Sequence, residues 1–119
     1  MTEDIRPHYR LEAWKEVMAL VKSVYEVSRR FPAEERYGLT AQVQRSAVSV
    51  PSNIAEGAAR SGSREFAQFL NISRGSLSEL GTQLPIAVEL AYLERNHPVF
   101  LSVDRVSRLV TGLHKSVKD

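Results

Sequence analysis

Apolar side chains recur at helical spacing in four segments of the chain, and no segment alternates with period two for long enough to make a strand. Between Leu11 and Arg29 one stripe runs Trp14, Met18, Val21 and Tyr25. A second set, Val17, Leu20, Val24 and Val27, is rotated from the first, so more than half of that helix's circumference is apolar. A helix in a four-helix monomer needs only one such stripe. The second set is therefore expected to meet another subunit.

Phe31-Pro32 should end this first helix, because proline disfavours helical backbone in the residue before it, and Tyr37-Gly38 supplies a joint before the next. The second helix is predicted from Leu39 to Arg60 with Leu39, Val43, Ala47, Val50 and Ile54 inward. Pro51 within it removes the N–H that would reach the Ala47 carbonyl and should kink or break it. Ser61-Gly62-Ser63 is a tight reversal, which forces a third helix, Arg64 to Tyr92, antiparallel to the second. Its predicted stripe is Phe66, Phe69, Ser73, Leu77, Leu80, Leu84, Ala87 and Ala91, with a bend near Gly81 caused by Pro85. Asn96-His97-Pro98 marks the start of a fourth helix, Pro98 to Val117. There Val99, Val103, Val106, Val110, Leu113 and Val117 keep the 4-3-4 spacing of shallow bundle packing. The expectation is an all-α, antiparallel up-and-down four-helix bundle in a single domain covering residues 1–119.

The absence of cysteine excludes disulfides, thiolate nucleophiles and sulfur-ligated metals, and fits a cytoplasmic location. The segment MTEDIRPHYR carries charge where a signal peptide needs an apolar core, and no run reaches the roughly 18 apolar residues of a membrane span. His8, His97 and His114 fall near termini or loops, and none is expected to make the Glu-x-x-His pair of di-iron bundles. No metal, cofactor or catalytic residue is therefore expected, and no serine has an evident activating base.

Polar residues at helix spacing inside the second and third helices are less ordinary. If the turn at Ser61–Ser63 is tight, positions whose numbers sum to about 124 lie at equal height. Arg45 then faces Glu79, Asn53 faces Asn71 and Ser49 lies near Gly75. Arg45, Asn53, Glu56, Arg74 and Glu79 read either as a site or, preferably, as a structural polar network fixing the register of helices or subunits, with Arg45–Glu79 as a direct pair. Net charge is only +2, yet twelve of the sixteen basic residues are Arg, the side chain suited to bidentate phosphate contact. Residues 36 to 74 hold five Arg against Glu56 and Glu65. Arg60 and Arg64 flank the turn, with Arg36 farther along, as candidate nucleic-acid contacts; a solvated loop is the plainer reading.

The set Phe31-Pro32, Glu35, Gly38-Leu39, Gln42, Arg45, Ala47-Val48-Ser49, Pro51, Asn53-Ile54-Ala55-Glu56-Gly57, Phe66, Phe69-Leu70, Arg74-Gly75-Ser76 and Glu79-Leu80 closely resembles the bacterial four-helix-bundle family encoded in intervening sequences of 23S rRNA. The resemblance implies an up-and-down bundle that assembles into homopentamers. A related branch resembles the accessory variability proteins of diversity-generating retroelements, which implies nucleic acid and, by family analogy alone, a reverse transcriptase as partners. The function expected is a non-enzymatic oligomeric scaffold binding RNA or DNA with low sequence preference. The alternative is a purely protein-binding or structural homo-oligomer.

Overall fold

Among the described residues four helices follow one another, α1 (Pro7–Ser28), α2 (Leu39–Ala58), α3 (Ser63–Glu89) and α4 (Val99–Lys118), with a 3-10 turn, Ala33–Glu35, in the first connection. The computed structural model describes the backbone of residues 7–118 and the side chains of residues 12–117. Asp119 and the charged residues before Pro7, and the side chains of His8 and Lys118, lie outside them. Among the described residues each helix packs on two neighbours in the cycle α1–α2–α3–α4, and the backbones of the diagonal pairs stay apart. The bundle measures 45 × 24 × 20 Å. Its length follows from α3, whose 27 residues span about 40 Å at the helical rise.

Hydrogen bonds between α2 and α3 fix their direction and register. Ser73 Oγ donates to the Val50 carbonyl at 2.9 Å, Ser76 Oγ meets Ser49 Oγ at 2.8 Å, and Ser46 Oγ lies 3.3 Å from Glu79 Oε1. Residue numbers fall along α3 as they rise along α2, so the two helices are antiparallel at close to the predicted register. Each buried hydroxyl thus has a partner, which removes the cost of placing serine where leucine would otherwise sit.

The core takes Leu39, Val43, Ala47, Val50 and Ile54 from α2 and all six predicted positions of α4. Valine is a weak helix former, so α4 owes its stability to burial of that stripe, with roughly 1.5–3 kcal/mol gained per fully buried aliphatic side chain. In α1 the assignment of the two apolar sets is reversed. Val17, Leu20, Val24 and Val27 are buried within the chain, whereas Trp14, Val21 and Tyr25 are half-buried at the seams and Met18 is 45% exposed. The crossing of α1 against both α2 and α4 accounts for this width of apolar surface. In α3, Leu70 replaces the predicted Phe69 in the core, and Phe69 is half-buried.

Neither internal proline breaks its helix: α2 runs on through Pro51 and α3 through Pro85. The end of α3 comes at Glu89, because Ala91 adopts φ 66°. Ala91 N–H bonds to the Val88 carbonyl at 2.9 Å and Tyr92 N–H to the Ala87 carbonyl at 2.8 Å, the paired bonds of a Schellman stop. Ala91 is therefore exposed at a corner and is not the last member of the α3 stripe.

Glycine is required at Gly57, where α2 packs directly on the first turns of α3. A Cβ there would stand 2.7 Å from Phe69 Cβ and 2.9 Å from Phe66 Cδ1.

Candidate functional site

The sequence placed its unusual residues on α2, α3 and the turn between them, and the fold distributes them over three places. The first is the groove between α2 and α3, about 440 Å3 in volume and lined by Gln42, Arg45, Ser46, Ser49, Ser76, Glu79 and Gln83. Its floor is a short chain of polar bonds: Asn53 Nδ2 donates to the Ser49 carbonyl at 2.9 Å and contacts Ser49 Oγ at 3.0 Å, and Ser49 joins Ser76 across the helices. Arg45 and Glu79 stand on opposite banks. They form no ion pair within the chain, and Glu79 Oε1 takes its contact from Ser46. Gln83 Oε1 is closed off from solvent here without a hydrogen-bond donor.

The predicted network of five residues is thus divided. Asn53 adjoins the groove through its bonds to Ser49. Arg74 Nη1 donates to Asn71 Oδ1 on its own helix at 2.9 Å, so Asn71 does not pair with Asn53. Glu56 pairs with Arg60 at 2.5 Å, one turn away on the exposed side of α2. The polar contacts that join α2 to α3 are a ladder of serines, Ser46, Ser49, Ser73 and Ser76.

The second place is the turn between α2 and α3. Arg60 stacks over the Phe69 ring at 5.0 Å while bonded to Glu56. Arg64, one residue into α3, is exposed and carries no bond among the described residues. Arg36 lies elsewhere, against the Tyr37 ring at 5.7 Å, before the first residue of α2. The twenty residues of α2 separate it from Arg60 by about 30 Å, so one chain does not gather the three arginines into one patch.

The third place, at the Arg36 end, was not singled out from the sequence. Glu35 Oε1 accepts the Leu39 N–H at 2.9 Å and Glu35 Oε2 accepts the Tyr92 hydroxyl at 2.8 Å. The carboxylate passes over Gly38, where a Cβ would come within 2.8 Å of Oε1. The Leu39 N–H and then the Tyr92 hydroxyl hold the Glu35 carboxyl below its ordinary value, and the same bond to Glu35 pushes the Tyr92 phenol up. Phe31 packs on Tyr92 with ring centroids 5.5 Å apart. Beside them Arg30 Nη2 reaches both oxygens of Glu94 at 2.9 Å, which lowers the Glu94 carboxyl. Glu94 and His97 do have Glu-x-x-His spacing, but in the connection after α3. There Arg30 occupies Glu94, and His97 Nδ1 accepts the Val99 N–H at 3.0 Å to cap α4.

No group of three or more His, Asp or Glu gathers in metal-binding geometry among the described residues, and no helix described is long and apolar enough to cross a membrane. These features define a four-helix bundle whose distinctive residues fasten α2 to α3 and cap the helix ends. The chain belongs to the 23S rRNA-intervening sequence protein family, whose model matches residues 9–112. No curated protein matches it.

Proposed function

We propose that the protein is a non-enzymatic, self-associating bundle that binds RNA or DNA through the phosphate backbone with low sequence preference. The observation that carries this reading is Arg64, an exposed guanidinium without a partner among the described residues, beside Arg60 at the α2–α3 turn. That turn also presents the N-terminal N–H groups of α3, which favour an anion. Arg60 contributes less per chain than its position suggests, because Glu56 already neutralises it. Arg36 contributes only if assembly brings the two bundle ends of different subunits to one strand. Net charge is +2 per chain, so binding strength comes from repetition across subunits.

The test is a salt titration of binding to single-stranded and duplex RNA and DNA. Each neutralised phosphate should contribute about −0.7 to −0.9 to the slope of log affinity against log salt. Arg60→Glu/Arg64→Glu should weaken binding to every sequence alike and flatten that slope. Absence of binding at low salt, or binding unchanged in the double variant, leaves the second reading, a protein-binding or structural homo-oligomer. The Arg60–Glu56 pair favours that second reading.

A further inference from the structure

We infer that the outer face of α2 and α3 is the surface on which a second copy of this chain docks, α2 of one copy lying along α3 of the other. This rests on the self-association proposed above and names its surface, which is not the α1 stripe that the sequence suggested. Four independent features converge on it.

The first is charge. From Leu39 to Ala55 α2 carries Arg45 alone, and from Phe66 to Val88 α3 carries only Arg74 and Glu79. Over Glu12–Ser28, α1 carries five charged residues. Depletion of charge at the centre of a surface is the compositional mark of an interface.

The second is glycine placement. Gly75 lies inside the longest helix and belongs to its exposed outer seam, and a Cβ there would meet nothing within 4 Å. Packing within the chain thus gives no reason for a residue that weakens a helix relative to alanine. Close approach of another backbone would.

The third is spacing. Ile72, Gly75, Glu79, Thr82 and Ile86 are all exposed and follow one another at 3-4-3-4 intervals on the outside of α3, with Ile72 and Ile86 50% and 43% exposed. Arg45, Val48, Ser52 and Ala55 do the same on α2. Two outward seams of this period suit shallow helix packing across a subunit boundary.

The fourth is complementarity. Arg45 and Glu79 lie at equal height on adjacent helices without pairing. When α2 of one copy lies antiparallel along α3 of another at the height the two helices share within one chain, Arg45 meets Glu79 of the second copy, and Ser52 meets its Ile72. Two helices about 30 Å long and about 10 Å apart offer a flat footprint of roughly 600 Å2, comparable with the ~800 Å2 per partner of stable complexes.

The chain contains no cysteine, so single cysteines report cleanly. Ser52→Cys and Ile72→Cys, carried on separate co-expressed chains, should form an intermolecular disulfide, while Lys22→Cys on α1 and Arg108→Cys on α4 should not. Arg45→Glu and Glu79→Arg should each weaken association at least tenfold by light scattering with helical content unchanged. The double swap in one chain should restore it. A wild-type monomer at micromolar concentration overturns the self-association reading itself. An assembled wild type that cross-links through Lys22→Cys or Arg108→Cys, or whose charge variants stay assembled, overturns this surface alone.

Discussion

Glu35 and Tyr92, 57 positions apart in the chain, meet through a 2.8 Å hydrogen bond that ties the α1–α2 connection to the corner after α3. The same carboxylate caps α2 at Leu39. A charged acceptor with two donors is a strong local fastening, and both its groups titrate.

The pH dependence follows from the directions of the two shifts. Glu35 is lowered from 4.5, so its contribution is present above that value and is lost as pH falls through the lower folded value. Tyr92 is raised from 10.0, so its contribution is complete below 10.0 and is lost as pH rises through the folded value. Thermal midpoints measured across pH should therefore fall at both extremes. Tyr92→Phe should abolish the alkaline loss and reduce the acid one; an unchanged profile would show that the bond does not form.

Gly57→Ala should destabilise the fold. The added methyl meets the Phe69 Cβ, which sits too close to its backbone to swing aside. Overpacking costs about 1–3 kcal/mol, and the gain of about 1 kcal/mol in helix propensity offsets only part of it. Urea denaturation measures the difference, and a stabilised variant would mean that α2 and α3 lie farther apart.

Ala91→Gly should stabilise by up to about 1 kcal/mol, because glycine adopts the left-handed backbone of this helix stop without the strain borne by alanine. The same denaturation experiment checks it. A loss of stability would indicate that α3 does not end in this conformation.

Arg45→Ala and Glu79→Ala should show no coupling in a double-mutant cycle of monomer stability, since the two side chains do not pair within the chain. On the proposed docking of α2 on α3 of a second copy, coupling should appear when dissociation of that assembly is measured instead. Coupling in monomer stability would place the pair inside one subunit.

The helical pattern carried most of the fold. Regular stripes such as Val99 to Val117 left one solution for α4, and the short turn at Ser61–Ser63 fixed the register of α2 on α3 to within a residue or so. Four things were not legible. Two apolar sets on α1 are equivalent in a period count, and only the packing of α1 on both α2 and α4 decides which is inside. The end of α3 lacked its usual glycine signal because Ala91 occupies the left-handed position. Equal height suggested an Arg45–Glu79 pair, but height fixes where two backbones lie and not where long side chains point. Glu35 stood in the sequence only as one member of the resemblance set, because its partner Tyr92 is remote in the chain.

The latch between Glu35 and Tyr92 also bears on the order in which the bundle assembles. Hairpin contacts between α2 and α3 span a turn of a few residues and are entropically cheap to close, whereas the latch joins segments 57 residues apart and encloses that whole hairpin. The hairpin is then expected in the folding transition state and the latch only after it. Weakening the latch should consequently accelerate unfolding while leaving the folding rate nearly unchanged, so that Glu35 and Tyr92 govern how long the native bundle persists more than how quickly it forms.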